Sequence, residues 1–349
     1  MARRRALATA ALACATALVV QVAPAQAAPP SYVALGDSYS SGTGTRSYLA
    51  DGTDCLRSVY AYPSLIASSR GYALSLRACS GATVADVRSG QLPALTASTA
   101  YVTISVGGND AGFADVITEC ALPGWVSNCY GKIDSARAFI SGTLPSRLQS
   151  LYTDIRARAP QAKVTVVGYP RLLNDEDCNA LTWFSSAEES RLNATADLMN
   201  SVLAQRASAA GFSFADPTSR FLGHAVCDDA EWINGLSVPI VESYHPNRSG
   251  HASGYTPSVS PFVTGSTLRV TAALLQEAER GERALTRDAR RYRAVDARVE
   301  PKLVTAPDLD SPRVRAAAQR AGVDLDSRAS IDAADRRADA RQLAARAGG

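Results

Sequence analysis

The 349-residue chain is poor in histidine, with three, and in aromatic side chains, at 7%. Its seven cysteines form no CxxC pair and its histidines no HxxxH spacing, so the ligand pattern of a structural zinc site is missing. Net charge is missing too. The formal +3 comes from Arg3, Arg4 and Arg5, and the chain beyond residue 27 balances 33 basic against 33 acidic groups. A nucleic-acid surface calls for an excess of base, so no nucleic-acid partner is expected. No stretch after the N-terminal segment approaches 18 apolar residues, which leaves no integral membrane segment in the mature chain. At 46% hydrophobic and 20% charged, the composition is neither disordered nor fibrous, and the length suits one large domain or two ordinary ones.

What is present begins with a processing signal. Met1–Arg5 is cationic, Ala6–Val20 is apolar but too short to span a bilayer, and Ala25-Gln26-Ala27 offers small residues to a signal peptidase. Residues 1–27 are therefore expected to be a signal peptide, and the mature protein secreted and extracellular. Cys14 leaves with the leader; no cleavage pattern precedes it, so it is not a lipoprotein cysteine. Six cysteines remain, and an even count in an exported chain predicts three disulfides. Six cysteines allow fifteen pairings, among which sequence alone does not choose. The simplest is local: Cys55–Cys79, Cys120–Cys129 and Cys178–Cys227. Each bridge would contribute about 2–4 kcal/mol through the entropy of the unfolded chain.

The composition shifts near Gly281. Residues 281–349 carry 15 basic and 11 acidic groups and one aromatic, Tyr292, among many alanines and arginines. Such a segment cannot bury much of a core by itself and is expected as a charged, helical or weakly ordered C-terminal extension, with helical patches at Val314–Ala321 and Ala333–Ala347. The remaining core, 28–280, holds 18 basic and 22 acidic residues. Within it, short β-branched runs follow turn signals: Tyr32–Leu35, Ala73–Arg77, Tyr101–Val106, Lys163–Val167 and Phe212–Ala215. Amphipathic stretches of helical period separate or follow them, at Ser135–Ala159, Ala187–Ala210 and Ser266–Arg280. Strands alternating with longer helices predict an α/β fold with a parallel sheet covered on both faces. In such sheets the chemistry lies beyond the carboxyl ends of the strands.

The strand ends carry the candidates. The first closes in Gly36-Asp37-Ser38-Tyr39-Ser40-Ser41-Gly42, a serine at a strand-to-helix turn where helix N–H groups point inward. It is not the GxSxG elbow of the α/β-hydrolases. After the second comes Cys79-Ser80-Gly81-Ala82-Thr83, where Gly81 can offer a backbone N–H. The third ends in Val106-Gly107-Gly108-Asn109-Asp110, and the Asn109 amide can donate to a developing oxyanion. Near the closing helix stands Val241-Glu242-Ser243-Tyr244-His245-Pro246-Asn247, followed by Gly250-His251. An imidazole with an ordinary pKa near 6.5 suits the role of base toward a serine hydroxyl.

Taken in order, these four blocks resemble the SGNH, or GDSL-type, hydrolases, named for Ser, Gly, Asn and His. The wider contexts GDSYSSGTG, SVGGNDAGF and SYHPNRSGHASGY, with six cysteines, look like the secreted actinomycete lipase, esterase and phospholipase branch. The resemblance covers 28–280 and not the extension. It implies a flavodoxin-like three-layer α/β/α sandwich with about five parallel strands, and it favours the sequential disulfides. It further implies ester hydrolysis through a Ser38 acyl-enzyme, with His245 as general base and an oxyanion hole of the Ser38 and Gly81 N–H groups and the Asn109 side chain. The family's usual acid is an Asp three residues before the histidine, and Glu242 stands there instead. Glutamate is longer by a methylene, so the backbone carbonyl of Ser243 is the alternative support for His245, and that dyad is preferred.

Asp37 is expected to brace the serine loop, and His251 and His224 to pack or position their loops. Loops 46–62, 111–133 and 171–186, with Trp125, Trp183 and Phe184, are candidates to wall an acyl pocket. The expected partner is a small-molecule or lipid ester, the expected state a monomer, and no cofactor or metal is required. Two other functions fit the fold: a carbohydrate O-deacetylase, and a non-catalytic binding protein. The extension lacks the aromatics of a carbohydrate-binding module, and Ser38, Asn109 and His245 are all present.

Overall fold

The computed structural model describes residues 28–347, so the expected signal peptide at 1–27 lies outside the described residues. Five strands form the sheet: β1 (Ser31–Gly36), β2 (Ala73–Leu76), β3 (Tyr101–Ser105), β4 (Lys163–Val167) and β5 (Ser213–Ala215). All pair in parallel, in the order β2-β1-β3-β4-β5. That is the flavodoxin-like order, which reverses direction between β1 and β3 and opens a crevice there. The central strands read as nearly unbroken buried runs, Tyr32–Gly36 and Val102–Ser105, because both faces are covered.

The helices in chain order are α1 (Ser38–Ser41), α2 (Tyr62–Arg70), α3 (Val84–Asp86), α4 (Phe113–Cys120), α5 (Cys129–Gly142), α6 (Leu144–Arg158) and α7 (Ser186–Ala209). After β5 come α8 (Thr256–Thr264), α9 (Ala272–Arg280), α10 (Glu282–Arg290), α11 (Arg293–Asp296), α12 (Pro312–Ala321) and α13 (Arg328–Ala347). One layer groups α2, α8 and α9, the other α4 to α7. The amphipathic stretch expected at Ser135–Ala159 is two helices. Pro145 sits at the start of α6, where its missing N–H costs nothing, and could not continue α5. The stretch expected from Ser266 begins only at Ala272, capped by the Thr271 hydroxyl, because α8 ends at Gly265 in the left-handed region.

Three disulfides join Cys55 to Cys79, Cys120 to Cys129 and Cys178 to Cys227. The extension beyond Gly281 is helical and folds back onto the body. Helix α10 lies beside β2, an edge strand, with the Ser75 hydroxyl donating to Asp288 at 2.7 Å. Asp296 then enters the interior and takes Arg77 through both carboxylate oxygens, at 2.6 and 3.1 Å, and Arg57 at 2.7 Å. Both guanidinium groups are fully buried, and Tyr292 stacks 3.7 Å from that of Arg77. Farther on, Arg313 grips Glu119, and Val323, Ile331 and Ala334 pack with Trp183. The charged segment thus completes its small core with Trp183 and Trp125 of the body.

Arg77 has no acidic partner other than Asp296 among the described residues. Asp296→Ala leaves its guanidinium buried and unpaired, and the expected loss is about 3–5 kcal/mol in urea unfolding. A loss below about 1 kcal/mol, as for an exposed pair, would show that water reaches this site.

Candidate active site

The turn after β1 is shaped by close approach. Gly36 has φ +121°, and a Cβ there would be driven into the Ser105 carbonyl of β3. The Asp37 N–H donates to that carbonyl at 2.9 Å, seating the turn on the neighbouring strand. Asp37 caps α1, its Oδ1 accepting from the Tyr39 N–H at 3.1 Å and the Ser105 hydroxyl at 3.0 Å. Ser38 is the first helical residue, so its N–H has no intrahelical acceptor.

His245 arrives from the far end of the chain. Its Nε2 lies 2.9 Å from Ser38 Oγ, and its Nδ1 lies 2.9 Å from the Ser243 carbonyl oxygen. A carbonyl only accepts, so the network assigns the proton to Nδ1 and leaves the Nε2 lone pair facing the serine hydroxyl. Tyr244 between them holds φ +59°, uncommon for a side chain of its size. It is clamped from both sides: its N–H donates to Asn234 at 2.8 Å, and its carbonyl accepts the Tyr39 hydroxyl at 2.8 Å. Burial pushes the imidazole down to about 4, partly opposed by the Ser243 carbonyl, so His245 is neutral at ordinary pH.

Glu242 does not reach the imidazole. Its carboxylate accepts the Tyr48 hydroxyl at 2.5 Å and faces Arg46 at 3.4 Å. This corrects the carboxylate alternative: the short helical turn at Ile240–Glu242 aims the side chain at the 46–48 loop, while the chain's turn back at Ser243 presents a carbonyl to Nδ1.

The two glycine turns meet beside the serine. The Asn109 amide donates to the Ala82 carbonyl at 3.0 Å, and Asp110 accepts the Val84 N–H at 2.8 Å. One N–H of Asn109 is spent on this bridge and the other remains for a ligand. Gly81, at φ +85°, is buried, and its N–H donates to no protein acceptor among the described residues. The extension passes behind it, and a Cβ on Gly81 would meet the Glu300 carbonyl at 2.5 Å.

Ser38 and Asn109 open onto an apolar cavity of about 100 Å³, walled by Phe113, Ile117, Ile140, Leu172, Leu192 and Met199. Helices α4, α5 and α7 supply most of this wall. The tryptophans expected there are elsewhere: Trp183 packs against the extension with Trp125 beside it, and Phe184 lies edge-on to Tyr244. Nor does loop 46–62 contribute; Arg57 points into the ion-pair cluster instead. His224 stacks on Trp232 at 3.6 Å, and His251 is buried beside Tyr62. Sequence reasoning missed Tyr39, Asn234 and Tyr169, as well as the pocket wall on α5 and α7. Tyr39 and Tyr169 carried a signal, since each stands within three residues of a strand end.

A hydroxyl poised on a neutral imidazole, unspent N–H groups beside it and an apolar slot for a chain can transfer an acyl group. On a flavodoxin-like sheet, above β1 and β3, this defines an α/β ester hydrolase. The sequence matches the profile of the GDSL-like lipase/acylhydrolase family over residues 34–253, and the chain belongs to that family. It is 44% identical over 248 residues to Lipase 1 of Streptomyces coelicolor, covering 69% of this chain and 91% of that protein. With a lipase of Streptomyces rimosus the identity is 43% over 260 residues, covering 73% and 96%. The crystal structure of phospholipase A1 from Streptomyces albidoflavus NA297 superposes with a TM-score of 0.63 at 42% identity, covering 66% of this chain and 98% of that one.

The position of Glu242 is open to test. Glu242→Gln should lower ester turnover by less than about tenfold, whereas loss of a carboxylate that supports the histidine costs ~10⁴-fold. Steady-state kcat decides between the two.

Proposed function

We propose that this protein is a secreted carboxylic-ester hydrolase of lipase type, working through an acyl-enzyme on Ser38. The observation that carries this reading is the Ser38–His245–Ser243 chain of contacts, 2.9 Å at each step, opening on an apolar slot. Ser38 Oγ attacks the ester carbonyl as its proton passes to His245 Nε2. The imidazolium so formed is steadied by the Ser243 carbonyl. The carbonyl oxygen becomes an oxyanion, facing the Ser38 and Gly81 N–H groups and the Asn109 amide. Collapse breaks the bond to the alcohol, which takes the proton from His245. Water repeats the sequence, with His245 as base, and releases the acid.

An apolar cavity favours an acyl chain over an acetyl group, so the substrate class is a lipid ester rather than acetylated carbohydrate. The relatives named as lipases and phospholipase A1 support the same class and leave both triacylglycerol and phospholipid within it. Secretion is supported by the leader-like residues 1–27 and three disulfides, and by the similar Streptomyces rimosus lipase being described as extracellular. Among the described residues no helix is long and apolar enough to cross a membrane.

Initial rates on p-nitrophenyl esters from acetyl to palmitoyl, with Ser38→Ala as blank, test the reading. Turnover should depend on Ser38 and rise with chain length until the cavity is filled. A preference for acetyl would transfer the assignment to deacetylation, and rates unchanged in Ser38→Ala would end it. In the same assay Asn109→Ala should lower kcat by about 10²–10³-fold.

A further inference from the structure

Tyr169 follows β4 in Gly168-Tyr169-Pro170 and takes no part in the chemistry above. Asn200 on α7 pins its backbone from both sides, accepting the Tyr169 N–H at 2.8 Å and donating to its carbonyl at 2.7 Å. The ring is thereby laid between two turns. Its hydroxyl donates to Asp37 Oδ2 at 2.6 Å and accepts the Gly108 N–H at 3.4 Å. The phenol end of the ring packs against Gly108, where a Cβ would stand 3.6 Å from Cζ and the hydroxyl oxygen. It also meets Tyr39 edge-on at 5.0 Å, and the Tyr39 ring lies 5.4 Å from the imidazole of His245.

The Ser38 and Asn109 donors sit on separate segments that have already left the β1–β3 ladder, and Gly36 and Gly107 both adopt positive φ where they leave it. A hole assembled from separate turns must hold them to within about 0.5 Å. We propose that Tyr169 is a positioning residue that sets the Ser38 turn against the Gly108–Asn109 turn. The inference rests on the Ser38–His245 reading given above.

The electrostatics of Asp37 supply an independent readout. Burial pushes its carboxyl up to about 6, while the Tyr169 hydroxyl, the Tyr39 N–H and the Ser105 hydroxyl hold it down. Asp110 on the neighbouring turn repels it weakly, and the phenols around it, Tyr39, Tyr62 and Tyr255, are held neutral by burial. No cation pairs with Asp37 among the described residues. Removing the Tyr169 hydroxyl therefore raises Asp37 further. Protonated Asp37 is a poorer acceptor for the Tyr39 N–H and the Ser105 hydroxyl, so the serine turn loosens as pH falls. His245 titrates lower, so the upper acid limb of kcat belongs to Asp37.

The test is kcat and KM for Tyr169→Phe between pH 4 and 9 on p-nitrophenyl acetate, too short to use the cavity wall that Tyr169 also lines. At neutral pH, kcat should fall by about 10–100-fold, with KM within about twofold, and the upper acid limb should move to higher pH. An unchanged kcat, or a fall with the limb unmoved, overturns the proposal. Asp37→Asn gives a second reading, since it should abolish the upper limb; persistence of that limb also overturns it. Ser38→Ala in the same assay separates the two levels. If it is inactive while Tyr169→Phe matches the parent enzyme, only the Tyr169 inference fails; if it stays active, the reading beneath has failed.

Discussion

The seat of Gly36 on Ser105 is the contact on which the site depends. It lies where the sheet order reverses, so no crossover helix covers the gap between β1 and β3 and their following turns diverge. A backbone-to-backbone approach, possible only without a side chain at Gly36, locks the two together at the moment they separate. Asp37 then caps α1 from a fixed point, Ser38 stands first in that helix, and the Ser105 hydroxyl returns to Asp37. Every other part of the site reaches this seat: Asn109 by following β3, Tyr169 by following β4, and His245 through Tyr39.

The site contains little charge, and that has a consequence. His245 leans on a carbonyl dipole rather than a carboxylate, and burial holds the ring neutral and able to accept a proton. A full negative charge beside a buried imidazole would favour the protonated form before any substrate arrived. A carbonyl supports an imidazolium less strongly, yet leaves the resting imidazole unprotonated over a wide range of pH. Glu242, close in sequence, is spent on Tyr48 and Arg46 and ties the 46–48 loop to the segment bearing the histidine.

The C-terminal extension turns its charge inward at one point. Asp296 pairs with two buried arginines of the body, Asp51 supplying Arg57 with a second carboxylate, and the following strap crosses behind Gly81 before Val304 enters the main core. About a third of this chain lies outside the match to phospholipase A1 of Streptomyces albidoflavus, while nearly all of that protein is matched.

Local chemistry was sufficient for part of this protein. Short apolar runs, the later ones alternating with long helical periods, point to a parallel sheet covered on both faces. The Gly-Asp-Ser, Gly-Asn-Asp and His blocks were legible because each directly follows a strand or a turn, where few residue types fit. Tertiary structure decided what depends on distance across the chain. Glu242 and Ser243 are neighbours in sequence, and nothing local distinguishes a side chain aimed at Tyr48 from a carbonyl aimed at Nδ1. Trp183 and Phe184 looked like pocket walls, but the cavity is apolar through Ile140, Leu192 and Met199, which helix packing alone brings to the serine. Asp296 is one acid among eleven in the extension, and only the fold sets it between Arg57 and Arg77. Pattern along a chain determines secondary structure and candidate chemistry, whereas the partner of each polar group is set by which surfaces are dehydrated together.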